Sequence, residues 1–484
     1  MSDIKRRAVS GVKWNTASTI ILMLVQILRL SVLTRLLDKS DFGLVAIATM
    51  VIGFTDIFSE LGLTVSVIHK QDITDKQYSS VYWTNIILSI IVFSVLWLVS
   101  PLVSAFYEQP VLSTIIPLLG LQVLLNGFGK MFQTIKSKNM EFAFISKVKI
   151  SACLVGFVAT ILFALLNYGV YSLVFGQLIQ VAVMQLTYAY VGRKQQKILW
   201  YLDLRGIADF IKIGVYRLGS QMLDFVSSRL DVFLIGKFFG MDDLGVYNLA
   251  KDLITRPYGM VNMLTSNVAS SAFSLIQEDI EKVKEYYCRI INIVSAMTTP
   301  IYFLIFLCAD LIVHILYGHN FYEVATLLRI LAFYGIESSI SSQGAILQVS
   351  LGRTDVGFRW TVLRIVCSFI VIIAASQLGI KVVAIGQLCL AILSLYLFWL
   401  IAIKPILDLR FTLYVKSFIS SILVSIVCSL PILIIHSLAN LNLWWQFSYA
   451  FIYSLFYIIY YLRFQPQFVK GLIDLFINKR QMKR

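Results

Sequence analysis

Long apolar runs recur along the whole chain, each broken by a short polar stretch. A run of about 18 or more apolar residues is long enough to cross the hydrocarbon core of a bilayer as a helix. The pattern predicts about fourteen such spans. The first six lie near 14–36, 42–67, 79–105, 111–133, 144–166 and 170–192. Six more lie near 208–238, 244–272, 287–309, 324–348, 357–378 and 380–403, and a last pair near 411–436 and 443–463. Few spans show the charged outer face that a water-soluble bundle requires. The expected fold class is an all-α integral membrane protein.

Composition strengthens that expectation. Of the 484 residues, 58% are hydrophobic and 14% charged, against roughly 25% charged in soluble domains. The gaps near 192–207 and 274–286 are too short for a glycosyltransferase domain, and no GxxxxGK[ST] phosphate loop occurs. No large external loop of the kind carried by sugar polymerases and ligases is present either, so an enzyme is not expected. The six cysteines show no CxxC pairing, and the four histidines lack ligand spacing, so no metal site, disulfide framework or cofactor is implied. The basic start, Met1 to Trp14, runs into the first span without a small-residue cleavage site and reads as an uncleaved first helix.

The net charge of +15 takes its meaning from its distribution. With the N-terminus placed in the cytoplasm, 31 of the 41 Lys and Arg fall on inner loops and inner span ends, including Lys136, Lys138, Arg193, Lys194 and Arg353. Five fall outside (Arg35, Lys39, Lys237, Arg329, Lys381), and five lie at membrane depth (Arg29, Arg217, Arg229, Lys251, Arg256). Such an imbalance predicts cytoplasmic termini at both ends and leaves no reason to invoke nucleic acid. Trp14, Trp83, Trp200, Trp444 and Trp445 sit near span ends, as interfacial anchors do. The tail from Phe464 to Arg484 mixes apolar and basic residues and is expected to lie on the cytoplasmic leaflet.

An internal repeat organises the spans. The stretch RLLDKSDFGLVAIATMVI from Arg35 aligns without gaps on KFFGMDDLGVYNLAKDLI from Lys237, placing Asp41-Phe42-Gly43 on Asp243-Leu244-Gly245 and Ala48 on Ala250. An offset of six spans, an even number, makes the halves parallel repeats. The expected domains are an N-lobe over 1–200, a C-lobe over 201–403, and over 404–484 a last helix pair with the basic tail.

Polar groups concentrate on the first two spans of each half. Asn15, Thr19, Gln26 and Arg29 share one stripe, and Thr49, Gly53, Asp56 and Glu60 another. In the second half Arg217, Gln221, Asp224, Ser228 and Asp231 alternate at spacings of four and three, and so do Asn248, Asp252, Thr255, Gly259, Asn262 and Ser266. Charges at depth cost roughly 2.5–3.5 kcal/mol each on insertion scales, which favours a polar cavity over accumulated lipid-facing charge. The bland alternative is local pairing, Arg217 with Asp224 or Lys251 with Asp252. Four of the five deep cations are Arg, whose planar fork suits phosphate oxygens, so an anionic cargo is expected. Glu337 is a lone carboxylate, equally suited to helix packing and to ion binding.

The outer-turn signature Lys237-Phe-Phe-Gly-Met-Asp-Asp-Leu-Gly-Val-Tyr-Asn-Leu-Ala, preceded by Asp231, resembles the polysaccharide transporters of the multidrug/oligosaccharidyl-lipid/polysaccharide flippase superfamily. Leu36-Leu37-Asp38-Lys39-Ser40-Asp41-Phe42-Gly43 looks like the matching first-half signature, and the likeness, greatest to Wzx-type flippases, covers the whole chain. The resemblance implies two six-helix lobes around a central cavity, in the bacterial inner membrane. Its implied cargo is an undecaprenyl-diphosphate-linked oligosaccharide, moved to the periplasmic leaflet by alternating access. On that basis Arg29, Arg217, Arg229, Lys251 and Arg256 are expected to hold the diphosphate, and Asp56, Glu60 and Asp224 to bind a coupling proton or sodium ion. Membrane lipids and polysaccharide-assembly proteins are the expected partners. A multidrug transporter, a peptidoglycan-precursor flippase and a membrane polymerase or ligase are the alternatives.

Overall fold

The computed structural model describes residues 2–60, 67, 73–203, 208–438 and 443–464. Among these, helices follow one another almost without interruption. They are α1 (Ser2–Leu33), α2 (Lys39–Glu60), α3 (Asp75–Tyr107), α4 (Leu112–Lys138), α5 (Phe142–Leu165), α6 (Val170–Gln195), α7 (Ala208–Phe238) and α8 (Gly240–Ile276). Then come α9 (Ile280–Leu307), the short α10 (Ala309–Leu316), α11 (Glu323–Ser350), α12 (Thr354–Ala375) and α13 (Ile380–Phe398). A π-helical turn (Trp399–Ile403) joins α13 to α14 (Lys404–Leu407), and α15 (Phe411–Leu438) and α16 (Trp445–Phe464) complete the order. The tail expected on the cytoplasmic leaflet lies, beyond Phe464, outside the described residues.

The apolar rhythm of the chain appears directly as these helices. Eleven of them are long and apolar enough to cross a membrane. The remaining long helices, α7, α8 and α16, are less apolar for visible reasons. α7 carries Asp224, Arg229 and Asp231, α8 carries Lys251, Asp252 and Arg256, and α16 carries Tyr449, Tyr453, Tyr457, Tyr460 and Tyr461. α1 differs from expectation by starting at Ser2, so the basic segment is helical from its first turn and continues into the span. Large apolar side chains such as Leu98, Val427 and Phe451 are exposed, which suits surfaces in contact with lipid.

Local chemistry sets the helix ends. Thr74 and Gln77 form a reciprocal capping box at the start of α3, each side chain accepting the other's backbone N–H. The chain leaves α3 through Glu108 in the left-handed region (φ 57°) and enters α13 through Gly379 (φ 100°).

The helices fall into two compact units, residues 1–246 with 316–318, and residues 247–315 with 319–484. In the first, α3 packs on α4, α4 on α6, α6 on α5 and α5 on α1. Without a hydrophobic driving force between helices in lipid, close approach relies on small residues. Gly129 lies against Gln185, Gly156 against Gln180 and the Gly176 carbonyl, and Gly176 against Thr160. In the second unit α9 packs between α11 and α15, and α11 against α13. Tyr302 of α9 fills the space over Gly335 and donates to the Ile254 carbonyl at 3.0 Å.

The two copies of the repeated turn meet inside the first unit. A β-carbon on Gly43 would overlap the Met241 carbonyl oxygen, and one on Gly245 would overlap the Lys39 carbonyl oxygen. In the repeat register Lys39 aligns with Met241 and Gly43 with Gly245, so each glycine packs on the counterpart of its partner's neighbour. This reciprocity is the mark of a two-fold relation. Lys237 anchors the second turn further, donating to the Phe106 carbonyl (2.7 Å) and to Glu108 (3.0 Å).

Because the obstacle is backbone, Gly43→Ala and Gly245→Ala are each expected to lower stability by about 1–3 kcal/mol. Gly259→Ala, where a β-carbon meets nothing within 4 Å, should be neutral or slightly stabilising. Thermal unfolding of the purified variants in detergent checks this, and equal melting points for all three would overturn the packing argument.

Candidate functional site

The candidate residues divide between the two units. The first holds Arg29, Asp56, Glu60, Arg217, Asp224 and Arg229, and the second holds Lys251 and Arg256. The side chains of Glu60 and Arg217 lie outside the described residues, although both positions are helical.

In the first unit α1 carries a half-buried Arg29 whose charge acts on Cys153 of α5. α2 packs against α3, α4 and α7. Gly53 receives the Phe225 ring of α7 and Phe54 stacks obliquely on it, with ring centroids 5.9 Å apart. One turn from Gly53, the half-buried Asp56 feels the charge of Lys130 on α4. Lys130 stands eight residues before the end of α4 at Lys138. Charge counting assigns it to an inner span end. The structure instead puts it within the helix, as the carboxylate's electrostatic partner. On α7, Asp224 and Arg229 are exposed. The Asp231 carboxylate accepts from the Val232 N–H at 2.9 Å.

The second unit gathers more polar groups than its stripe suggests. On α8, Arg256 makes a one-turn ion pair with Asp252, so this guanidinium already shares an anion of its own helix. Lys251 is half-buried beside it. Deeper in the unit Glu337, 6% exposed, receives hydrogen bonds on one oxygen from Ser341 (2.6 Å) and from Ser394 of α13 (2.8 Å). Arg364 of α12 donates to the Tyr334 hydroxyl at 3.0 Å. Glu337, Tyr334, Arg364 and Gln387 line one small cavity. Glu337 therefore has partners on its own helix and on α13. Arg364, counted at an inner span end, lies in the middle of α12.

A family model described as polysaccharide biosynthesis protein matches residues 32–326, more than half of the chain. The chain belongs to that family. Among curated relatives, the lipopolysaccharide biosynthesis protein WzxC of Escherichia coli (strain K12) is 25% identical over 416 residues, covering 86% of this chain and 85% of its own. The succinoglycan biosynthesis transport protein ExoT of Rhizobium meliloti (strain 1021) is 22% identical, covering 78% of this chain and 76% of its own. The fold is similar to that of the lipid II flippase MurJ in an inward closed conformation, with a TM-score of 0.75 and 14% identity, over 95% of this chain and 99% of that one. The all-helical fold is thereby shared with a solved membrane protein.

The region matched by the polysaccharide biosynthesis protein family spans α2, α4, α7 and α8, which carry Asp56, Lys130, Asp224, Arg229, Lys251 and Arg256, whereas Arg29, Glu337 and Arg364 lie outside it. Lys130 and Arg364 are the charged residues that sequence reasoning left out of the site. A cation about eight residues inside a helix end looks like a span-end charge until the helix length is known, since each residue adds only ~1.5 Å.

The Asp56–Lys130 pairing has a measurable consequence. Removing one member of a half-buried pair strands the other, at a cost between the ~0–1 kcal/mol of an exposed pair and the ~3–5 kcal/mol of a fully buried one, whereas removing both does not. Asp56→Asn and Lys130→Met alone are each expected to be less stable than the double variant. A double variant whose loss of melting temperature equals the sum of the single losses would show that the two charges are uncoupled.

Proposed function

We propose that this protein is a flippase for lipid-linked oligosaccharides, translocating undecaprenyl-diphosphate-linked repeat units of O-antigen, colanic-acid or capsule type from the cytoplasmic to the periplasmic leaflet. The observation that carries the reading is the family match, extended by the likeness to WzxC over most of both chains. The description of ExoT as a transport protein supports transport over synthesis. A chain made almost wholly of spans, with charged side chains in their interiors, suits a transporter better than an enzyme. The protein would be multi-pass in the bacterial inner membrane with both termini cytoplasmic. Its lobes would be residues 1–200 and 201–403, with residues 404–484 appended.

In this reading Arg29, Arg217, Arg229, Lys251 and Arg256 receive the diphosphate, and the lobes alternate in access around it. A diphosphate would compete with Asp252 for Arg256, which gives the site a way to exchange an internal anion for a ligand. Asp56, Glu60 and Asp224 are the proposed groups for a coupling proton or sodium ion. The charge of Lys130, which acts on Asp56, would supply a built-in cation for the uncoupled state.

The test is flipping of lipid-diphosphate sugars by purified protein in liposomes. Each of Arg29→Ala, Arg217→Ala and Arg256→Ala is expected to lose about ten- to hundredfold in substrate affinity, the worth of a charge-assisted contact. Arg→Lys should recover only part of it, because the fork is lost. Wild-type binding and flipping in all three alanine variants would refute the site assignment, and absence of flipping by the wild-type protein would refute the function. Orientation is tested separately, in a background without the native cysteines. Lys39→Cys and Lys381→Cys should react with an impermeant thiol reagent added outside, and Arg353→Cys should not.

A further inference from the structure

α9 and α15 of the second unit are tied together two to four turns in from their starts. Asn292 donates to the Ser417 carbonyl (3.2 Å), Ser295 to the Phe418 carbonyl (3.3 Å), and Tyr457 of α16 to the Ala296 carbonyl (3.0 Å). Toward their N-terminal ends the two helices border an open cleft of about 810 Å³, within the range of roughly 300–1,000 Å³ common for small-ligand sites. One wall is fixed: Leu409 is 4% exposed and its carbonyl accepts from the Trp399 indole at 2.8 Å. Leu413, half exposed on the first turn of α15, supplies an apolar lip. The cleft thus lies where two spans begin, at the depth where hydrocarbon gives way to head groups.

Its charges do not cancel. Lys282 pairs with Asp279 at 2.9 Å, and Lys284 with Glu281 at 2.6 Å. Hydrogen bonding from Lys282 holds the Asp279 carboxyl below the usual carboxylate range, so that rim pair is ionised and internally neutral at pH 7. The remaining charged residues lining the cleft are Arg289, Lys416 and Glu285. Two cations against one carboxylate leave one positive charge. A ligand with a single net negative charge and an apolar body balances it, and a zwitterionic ligand does not.

We propose that this cleft binds the head group of an anionic membrane lipid with one phosphodiester charge, the phosphate held by Arg289 and Lys416 and the acyl chains leaving over Leu413. None of the residues lining it belongs to the polar stripes of α1, α2, α7 and α8. It does not depend on the identity of the transported cargo, because occupancy is measured without transport.

Native mass spectrometry of the full chain, titrated with phosphatidylglycerol, phosphatidylcholine, inorganic phosphate or undecaprenyl diphosphate, tests this. Phosphatidylglycerol should bind at least tenfold more tightly than phosphatidylcholine. The double variant Arg289→Ala/Lys416→Ala should lose about thirtyfold for phosphatidylglycerol, at the worth of a cation near a lipid surface. Glu285→Gln should gain about threefold by removing a like charge, and Lys282→Ala, whose charge is matched on the rim, should stay within about twofold. The Glu285 variant decides the matter alone if the double variant fails to fold, since no gain there overturns the proposal. Unchanged phosphatidylglycerol binding in the double variant overturns it too. So does displacement of the lipid by inorganic phosphate alone, which would mark a free-anion site. Preferential binding of undecaprenyl diphosphate, lost in the double variant, would assign the cleft to the transported lipid and equally overturn it.

Discussion

In the hydrocarbon core no water solvates an ionised side chain, so every charge within a span must meet another protein group or open onto a hydrated space. The protein satisfies that constraint in three ways. Asp56 has a cation on a neighbouring helix, Arg256 has a carboxylate one turn away on its own helix, and Glu337 has two hydroxyl donors, with Arg364 lining the same cavity. These arrangements are unequal in mobility. A hydroxyl-bound carboxylate is held by short, directional bonds, whereas a one-turn ion pair whose carboxylate is open to solvent is more readily exchanged for another anion. Rigid polar packing and a ligand-responsive charge can therefore coexist within one helical scaffold.

The scaffold is held by close backbone approach. Glycines and hydroxyl residues let α4, α5 and α6 lie near one another, and the reciprocal contact of the two repeated turns brings backbone onto backbone. Interactions of this kind depend on shape, since lipid tails offer side chains the same apolar surroundings as a neighbouring helix. A single added methyl at such a point is felt more than the loss of many lipid-facing methyls.

Much of this was legible in the sequence. Apolar run lengths located the helices, and the gapless register of the repeated turn paired Gly43 with Gly245, the two glycines that then pack reciprocally, though that they touch was not legible. The polar stripe of α2 marked Asp56. Its partner was not legible, because Lys130 sits 74 positions further along and looks like a span-end charge until α4 is seen to extend beyond it. Glu337 shows the same division. Ser341, one helical turn away, is foreseeable, but Ser394 belongs to another helix and meets it only through the packing of α11 on α13. Helix existence is a local property, whereas side-chain partnership across helices depends on rotation and depth, which a single sequence leaves open.

The polarity of α7 and α8 also bears on how the chain enters the membrane. Segments offered to a translocon singly are accepted according to their own apolarity, and charges near the middle weigh heavily against them. α7 and α8 fall short of the apolarity that marks their neighbours, yet α7 has a receiving surface on α2, where Gly53 makes room for Phe225. Lateral release of α7 into lipid would be favoured once α2 is in place to dock it, giving the N-terminal helices a role as an intramolecular insertion template.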